Sequence, residues 1–475
     1  MATSNTTDLH PNQSTAVIDS FTHIYFIGIG GIGMSNLARY FLAKKKIVGG
    51  YDRVSTTLSR LLEKEGAAIH YHDDVQRIPH QFMNPQTTLV VYTPAVSSTH
   101  TELVYFKQND FTIMKRAQVL GDITKLSNAI CCAGTHGKTT VSSMAAYILR
   151  QSEVDCSAFL GGILKNYDSN LLLSKRSEIT VIEADEYDRS FHWLRPWIAI
   201  ITSANPDHLD IYHSAAKYRQ SFEHFTSLIR KDGYLIMRKD IPVTPQCHPS
   251  VKQYSYSLNE GDFYAQNIRI GNGTLLFNFV YPDGCIKDIE LGVPVLINVE
   301  NAIAAAAAAW ISGVEPRDIK SSLFEYMGAK RRFDLRFKND EIVLIDDYAH
   351  HPDEVEASIS SIKKLYDHKK ITGIFQPHLY SRTRDFAEEF AATLSMLDEL
   401  ILLDIYPARE EPIEGVSSQL IFDKVTIKNK TLCSKEEVVG LLKNSHHEVV
   451  ITLGAGDIES LLPEIEQLYR DNSPS

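Results

Sequence analysis

At 475 residues the chain exceeds a single typical hydrophobic core, so it predicts two or three domains. Its 44% hydrophobic and 23% charged composition is that of a globular protein, and no run of roughly eighteen apolar residues offers a membrane span. The formal charge of −11 weighs against a nucleic-acid partner but leaves room for a phosphorylated small molecule at a locally positive site.

The segment 1–20 is polar and lacks a basic start followed by an apolar run, so it reads as a loose tail rather than a signal peptide. Cysteines 131, 132, 156, 247, 285 and 433 form no Cys-x-x-Cys pair and no zinc spacing. Cys131 and Cys132 sit in an apolar stretch and are expected to be buried. A reducing cytoplasm fits this usage.

In the first segment, 1–126, "HIYFIGIGGIGMSNLARYFLAKK" predicts a strand, a glycine turn and a helix. Gly28 permits the tight turn, Gly30 lets a ligand approach the backbone, and Gly33 allows close helix–strand contact. The free amides of the helix start suit a diphosphate. A second strand, "KIVGGYD", ends at Asp52, 19 residues past Gly33, where a carboxylate could accept from a ribose or sugar hydroxyl. "TLVVYTPAV" and "FTIMKRAQVLGDIT" supply further strands. The turn alone suits either a nucleotide-type phosphate or no ligand. A second, different phosphate motif about a hundred positions later weighs against a dinucleotide.

That motif opens the middle segment, 127–328. "AICCAGTHGKTTVSSMAAYILRQ" is a strand, a loop and a helix. Cys132 stands where the usual P-loop has its first glycine, so the signature is incomplete, yet Gly137, Lys138 and Thr139 keep their context. Backbone amides there can hold phosphates, Lys138 can offset charge on a transferred phosphoryl, and the Thr139 hydroxyl can ligate Mg²⁺. A purely structural turn gives no reason for a lysine whose charge opposes the helix dipole. "EITVIEADEYDRSF" is a buried strand ending in Glu183, followed by Asp185, Glu186 and Asp188. So many carboxylates repel one another unless a cation is present, the alternative being a solvated acidic turn. "IAIITSANPDHLDIY" is another strand, with His208 and Asp210 after it; His208 is either a core or capping histidine or a metal ligand. Residues 251–290 alternate and read as an antiparallel accessory sheet. "NVENAIAAAAAAWISG" is a helix on which Asn298 and Asn301 share a face, to read an adenine edge or to cap the helix.

The third segment, 329–475, begins with Arg331 and Arg332 in "KRRFDLRF". A strand then ends in Asp346, Asp347, Tyr348, His350 and His351. Pro352, Asp353 and Glu354 are ordinary helix-start chemistry, which leaves the carboxylates and histidines before them unexplained. "ITGIFQPHLYSRTRDFAEEF" repeats the arrangement with His378, Arg382 and Arg384. Two more strand-end loops follow, so this segment reads as another parallel αβα unit.

Taken in order, "FIGIGGIGMSNLAR", "AGTHGKTT", "EADEYDRSF", "PDHLDIY", "NVENAIAA", "KRRF", "DDYAHHP", "FQPHLYSRTRDF", "LLDIYPAREEPIEGV" and "LGAGDI" resemble the motifs of the Mur ligases, ATP-dependent amide-forming enzymes of bacterial cell-wall precursor assembly. The resemblance covers nearly the full chain. It implies an α/β, three-domain architecture: a Rossmann-like UDP-sugar domain, a central P-loop ATPase and a C-terminal Rossmann-like domain that closes over the amino acid. It implies L-alanine and UDP-N-acetylmuramate as substrates, with a recycled L-Ala-γ-D-Glu-diaminopimelate tripeptide as the alternative amine. Gly28, Gly30, Gly31, Gly33 and Asp52 would then meet UDP-sugar. Gly134, Thr135, His136, Gly137, Lys138, Thr139 and Thr140 would cradle ATP phosphates, and Thr139, Glu183 and His208 would hold magnesium. Asn301 would meet adenine and Arg332 the phosphates. Asp347, Tyr348, His350 and Arg382 would line the nucleotide and amino-acid sites. Ile297 and Leu379 depart from the family pattern, and Glu223 stands where sister ligases carry a carbamylated lysine, so no carbamate is expected.

Overall fold

The computed structural model describes residues 17–471, apart from 94, 272 and 409 and the side chains of 209 and 210. The expected loose tail therefore falls mostly outside the described residues; Val17–Ser20 forms a short 3-10 turn.

The first sheet has five parallel strands in the order Ala68–His70, Ile47–Tyr51, His23–Ile27, Thr88–Tyr92, Thr112–Lys115. Along His23–Ile27, Ile24 and Phe26 enter one apolar core while Tyr25 and Ile27 enter another. That is how a strand covered on both faces comes to read as a continuous apolar run. The strand order reverses beside His23–Ile27, and the glycine turn follows that strand. This is the crevice position at which open α/β sheets take ligands.

The central sheet runs Lys252–Tyr256, Tyr234–Arg238, Ile198–Ile201, Asn128–Ala133, Ile179–Ala184, Ser157–Leu164, Ser169–Leu172. Cys132 is level with Glu183 on one side and Ile200 on the other, all in parallel register. The loops after these three strands therefore open on one edge. Cys131 and Cys132 are fully buried here, as their apolar surroundings predict. Among the described residues, Tyr264–Gly271, Thr274–Tyr281 and Gly284–Glu290 form the antiparallel accessory sheet, while Lys252–Tyr256 instead extends the edge of the central one. Alternation tells a strand's faces but not its partner.

The last sheet orders Asp334–Lys338, Val343–Asp347, Val449–Leu453, Ile371–Phe375, Glu399–Leu402, Lys430–Leu432. It departs from the expected all-parallel unit at one edge, where Asp334–Lys338 pairs antiparallel with its neighbour. The connection 339–342 is too short for a crossover, so the chain can only turn back.

The chain divides into two compact units: Met1–Ser142 with Glu153–Gly162 and Ser169–Tyr254, and Ser143–Ser152 with Ile163–Asp168 and Ser255–Ser475. In the first, one core runs from Phe26, Leu37 and Phe41 through Val119 and Ile123 to Cys131, Ile182 and Phe191. In the second, Leu344, Ile374, Ile401 and Val450 pack at the centre of the last sheet.

Candidate active site

In the first unit the phosphate loop 134–137 joins Asn128–Ala133 to the helix Lys138–Gln151. Gly134 and Gly137 take φ of +146° and +83°, which strains any side chain. A Cβ on Gly134 would also lie 2.0 Å from the Thr202 hydroxyl. The loop is braced from the end of the neighbouring strand. Thr202 Oγ1 donates to the His136 carbonyl at 2.5 Å, and Ser203 Oγ accepts from the His136 N–H at 2.8 Å. Thr135 Oγ1 donates to the Asn205 carbonyl at 2.7 Å. In the sequence Thr202 and Ser203 carry no signal beyond a polar strand end. Thr139 is buried and Thr140 half-buried in the helix's first turn.

Lys138 turns back over the loop, with Nζ 2.5 Å from the Gly134 carbonyl and 2.8 Å from Glu186 Oε2. Burial alone would lower its pKa, but the carboxylates of Glu186, Glu183 and Asp185 outweigh burial and hold it above the ordinary lysine value. Burial pushes Glu186 up in spite of Lys138. Lys138 therefore keeps its charge. His208, at φ +52°, brings Nε2 to 3.9 Å from Glu186. Lys138, Glu186 and His208 thus come together.

The acidic cluster is not the self-repelling set its sequence suggests. Arg116 holds Asp185 at 3.1 Å and Lys115 holds Asp188 at 2.8 Å, while Lys138 takes Glu186. Repulsion among these three needs no metal, because each has a protein cation. Glu183 differs: its Oε2 is buried without a hydrogen-bond partner. Gly161 faces it, and a Cβ there would fall 2.3 Å from that oxygen. An orphaned carboxylate oxygen with space kept open beside it suits a hard divalent cation. Among the described residues no three His, Cys, Asp or Glu side chains form a metal site. A magnesium ion at Glu183 would thus need further ligands beyond His, Cys, Asp and Glu side chains, such as the oxygens of a bound nucleotide.

At the glycine turn, Gly28 takes φ +87° and Gly31 caps the helix Ile32–Ala43. The Gly30 N–H donates to Asp52 Oδ2 at 2.7 Å, and Asp52 Oδ1 accepts from the Val54 N–H at 3.3 Å. Asp52 is thereby engaged in bracing the turn, a use its spacing did not reveal. Gly33 is required for a different reason from helix–strand contact. The Arg116 guanidinium fills the place of its side chain, with Nη1 2.3 Å from where a Cβ would stand.

In the second unit, Asp346 is fully buried and accepts from Thr452 Oγ1 at 2.6 Å; burial pushes its pKa up to about 6. Asp347 is buried too and accepts from Ser358 Oγ at 2.5 Å, which ties it to the helix Pro352–Leu365. Arg331 and Arg332 both lie over the Tyr348 ring, at 4.8 and 5.0 Å. Arg331 also donates to the Gly454 carbonyl at 2.6 Å. His350 Nδ1 is 2.9 Å from the Tyr348 carbonyl, and burial lowers its pKa. Its ring is 5.8 Å from that of His378, whose pKa burial lowers to about 4, helped by His350 and Arg382. Arg382 Nη1 is 3.5 Å from His378 Nδ1. Contacts thus run from Arg332 through Tyr348 and His350 to His378 and Arg382. Arg384 turns aside to Asp385 at 2.7 Å. Glu410 accepts from the Ser381 N–H at 2.9 Å and so steadies the short helix that carries Arg382, although nothing in "AREEP" marks it. Asn301 Nδ2 donates to Asn298 Oδ1 at 3.1 Å, and Asn298 Nδ2 to the Val293 carbonyl at 3.2 Å. Asn298 takes the structural role at its helix start.

Three family models match the chain: "Mur ligase family, catalytic domain" over 23–127, "Mur ligase middle domain" over 132–309, and "Mur ligase, glutamate ligase domain" over 331–456. The chain is similar to the UDP-N-acetylmuramate–L-alanine ligase of Parabacteroides distasonis, at 61% identity over 95% of this chain and 98% of that one. It is similar to the ligase of the same name from Phocaeicola vulgatus, at 55% identity over 94% and 98%. Among solved structures, the UDP-N-acetylmuramate-alanine ligase of Thermotoga maritima matches with TM-score 0.80 at 26% identity, covering 95% of this chain and all of that one. A murein peptide ligase from Psychrobacter arcticus shares the fold, with TM-score 0.65 at 22% identity over 96% and 100% of the two chains.

Proposed function

This chain belongs to the Mur ligase family, with its three-domain architecture of parallel-sheet α/β domains, and we propose that it joins L-alanine to the lactyl carboxylate of UDP-N-acetylmuramate at the expense of ATP. The observation that carries this reading is the 61% identity, sustained over 95% of the chain, to a ligase of that name. We assign residues 1–126 to the sugar nucleotide, 127–328 to ATP and 329–475 to the amino acid. The setting we propose is the cytoplasm, where peptidoglycan precursors are made; no described helix is long and apolar enough to cross a membrane.

The chemistry takes two steps. A lactyl carboxylate oxygen attacks the γ-phosphorus of ATP, the bridging bond to ADP breaks, and an acyl phosphate forms. The neutral amine of alanine then attacks the acyl carbon, and the tetrahedral intermediate expels phosphate. Activation is needed because a free carboxylate is a poor acyl donor. Gly134, Thr135, His136, Gly137 and Thr140 form the cradle that binds the phosphates. Lys138 offsets charge on the transferring group. Thr139, Glu183 and His208 would hold magnesium, which neutralises phosphate charge. Gly28, Gly30, Gly31 and Gly33 shape the turn that receives the UDP diphosphate at the helix start, with Asp52 holding it through the Gly30 N–H. Asn301, Arg332 and Asp347 serve the nucleotide. Arg382 orients the alanine carboxylate beside Tyr348. His350, kept neutral by burial, can accept a hydrogen bond from the incoming amine.

The test supplies ATP, Mg²⁺ and UDP-N-acetylmuramate with L-alanine, glycine, L-serine or the L-Ala-γ-D-Glu-diaminopimelate tripeptide, and follows phosphate release and product mass. L-alanine is expected to give the highest kcat/KM. Some glycine turnover is compatible, because a pocket discriminates one methyl group by only about 1–3 kcal/mol. Preferred turnover of the tripeptide would overturn the assignment of the amine.

A further inference from the structure

The helix Arg116–Lys125 opens with two cations, Lys115 as its N-cap and Arg116 as its first residue. Helix N-termini are positive and favour anions, so this placement is unfavourable unless other groups compensate it. Both cations reach the same acidic strand end, Lys115 to Asp188 and Arg116 to Asp185. The two arms of the Arg116 fork have different neighbours. Nη2 donates to Asp185 Oδ2 at 3.1 Å, while Nη1 occupies the space that a side chain at position 33 would need. The guanidinium is therefore seated between the first turn of the helix Ile32–Ala43 and Asp185. The residue after Asp185 is Glu186, which holds the Lys138 ammonium at 2.8 Å. An Asp185 carboxylate released from Arg116 would leave an unpaired negative charge beside the one lysine that a triphosphate must reach.

We infer that Arg116 is a positioning residue: by clamping Asp185 beside Gly33 it neutralises the strand end, so that ATP meets Lys138 rather than surplus negative charge. This rests on the reading of 134–140 as the ATP site. It assigns a task to a residue outside every phosphate motif, and it accounts for a cation at a helix start.

The experiment compares steady-state kinetics of full-length wild type, Arg116→Met, Asp185→Asn, the double variant and Arg116→Lys, with thermal melting of each. Arg116→Met should raise KM for ATP about tenfold with a smaller change in kcat, as expected for one uncompensated charge near the phosphates. Adding Asp185→Asn should return KM to within about twofold of wild type, because it removes the charge that Arg116 had balanced. Should Arg116→Met fail to fold, Arg116→Lys decides: it keeps the charge, so KM for ATP should stay within about threefold of wild type. An unchanged KM in Arg116→Met, a double variant no better than Arg116→Met, or a tenfold loss in Arg116→Lys would each overturn the inference. The first would show that Arg116 is dispensable, and the others that it touches substrate directly or only supports the fold. A wild-type enzyme that does not use ATP would instead remove the reading beneath it.

Discussion

The glycine turn at 28–33 and the phosphate loop at 134–137 are built to the same plan and differ in two respects, the group that braces them and the cation. Each follows a central parallel strand, enters a helix, and needs glycine at positive φ. The first is braced by a carboxylate, Asp52 on the Gly30 N–H; the second is braced by hydroxyls, Thr202 and Ser203 on His136. Only the second carries its own cation, Lys138, folded over the loop. The cation beside the first is borrowed from elsewhere in the chain, and Arg116 spends it on Asp185. The difference matches the chemistry proposed for each. A diphosphate that is only held needs amides and shape. A phosphoryl group that is transferred gathers charge in the transition state and needs a cation placed in advance.

Lys138→Ala should break this comparison most strongly. Loss of the cation should lower kcat at least about a hundredfold, a cost of ~3 kcal/mol, with UDP-N-acetylmuramate binding unchanged by calorimetry. Near-normal turnover would remove the distinction between the two loops. Gly30→Ala should give the reverse pattern. Its Cβ would stand 2.9 Å from Asp52 Oδ2 and push the brace away. KM for the sugar nucleotide should rise about tenfold with kcat nearly unchanged, the signature of lost uniform binding. A fall in kcat with unchanged KM would contradict that role. Thr202→Val should show the smallest effect, about 1–2 kcal/mol of stability lost in denaturant titration and a modest rise in KM for ATP. A change in sugar-nucleotide affinity would show that the two loops are not independent.

What could be read in the sequence follows the same division. Local patterns were legible: the strand, loop and helix over 128–151, the glycine turn, and the crowding of polar residues after the strands ending at Asp347 and Phe375. Those rest on period, turn chemistry and helix-start rules that act within a few residues. Partnerships were not. Asp185 and Arg116 are far apart in the chain, so "EADEYD" looked like carboxylates awaiting a metal, although three of them already had cations. Gly33 looked like a packing glycine because the guanidinium that fills its space comes from another helix. Lys252–Tyr256 looked like part of the accessory sheet because alternation does not name a strand's neighbour. His378 and Glu410 needed the fold to bring them to His350 and Ser381.

The proposed transfer of a phosphoryl group to the sugar-linked carboxylate is tested most directly by isotope. UDP-N-acetylmuramate labelled with ¹⁸O in both lactyl carboxylate oxygens is turned over with ATP and L-alanine, and the released phosphate is weighed by mass spectrometry. An acyl phosphate leaves one labelled oxygen in each phosphate, since the bond from that oxygen to carbon is the one the amine breaks. Phosphate free of label, formed alongside the amide product, would contradict the account.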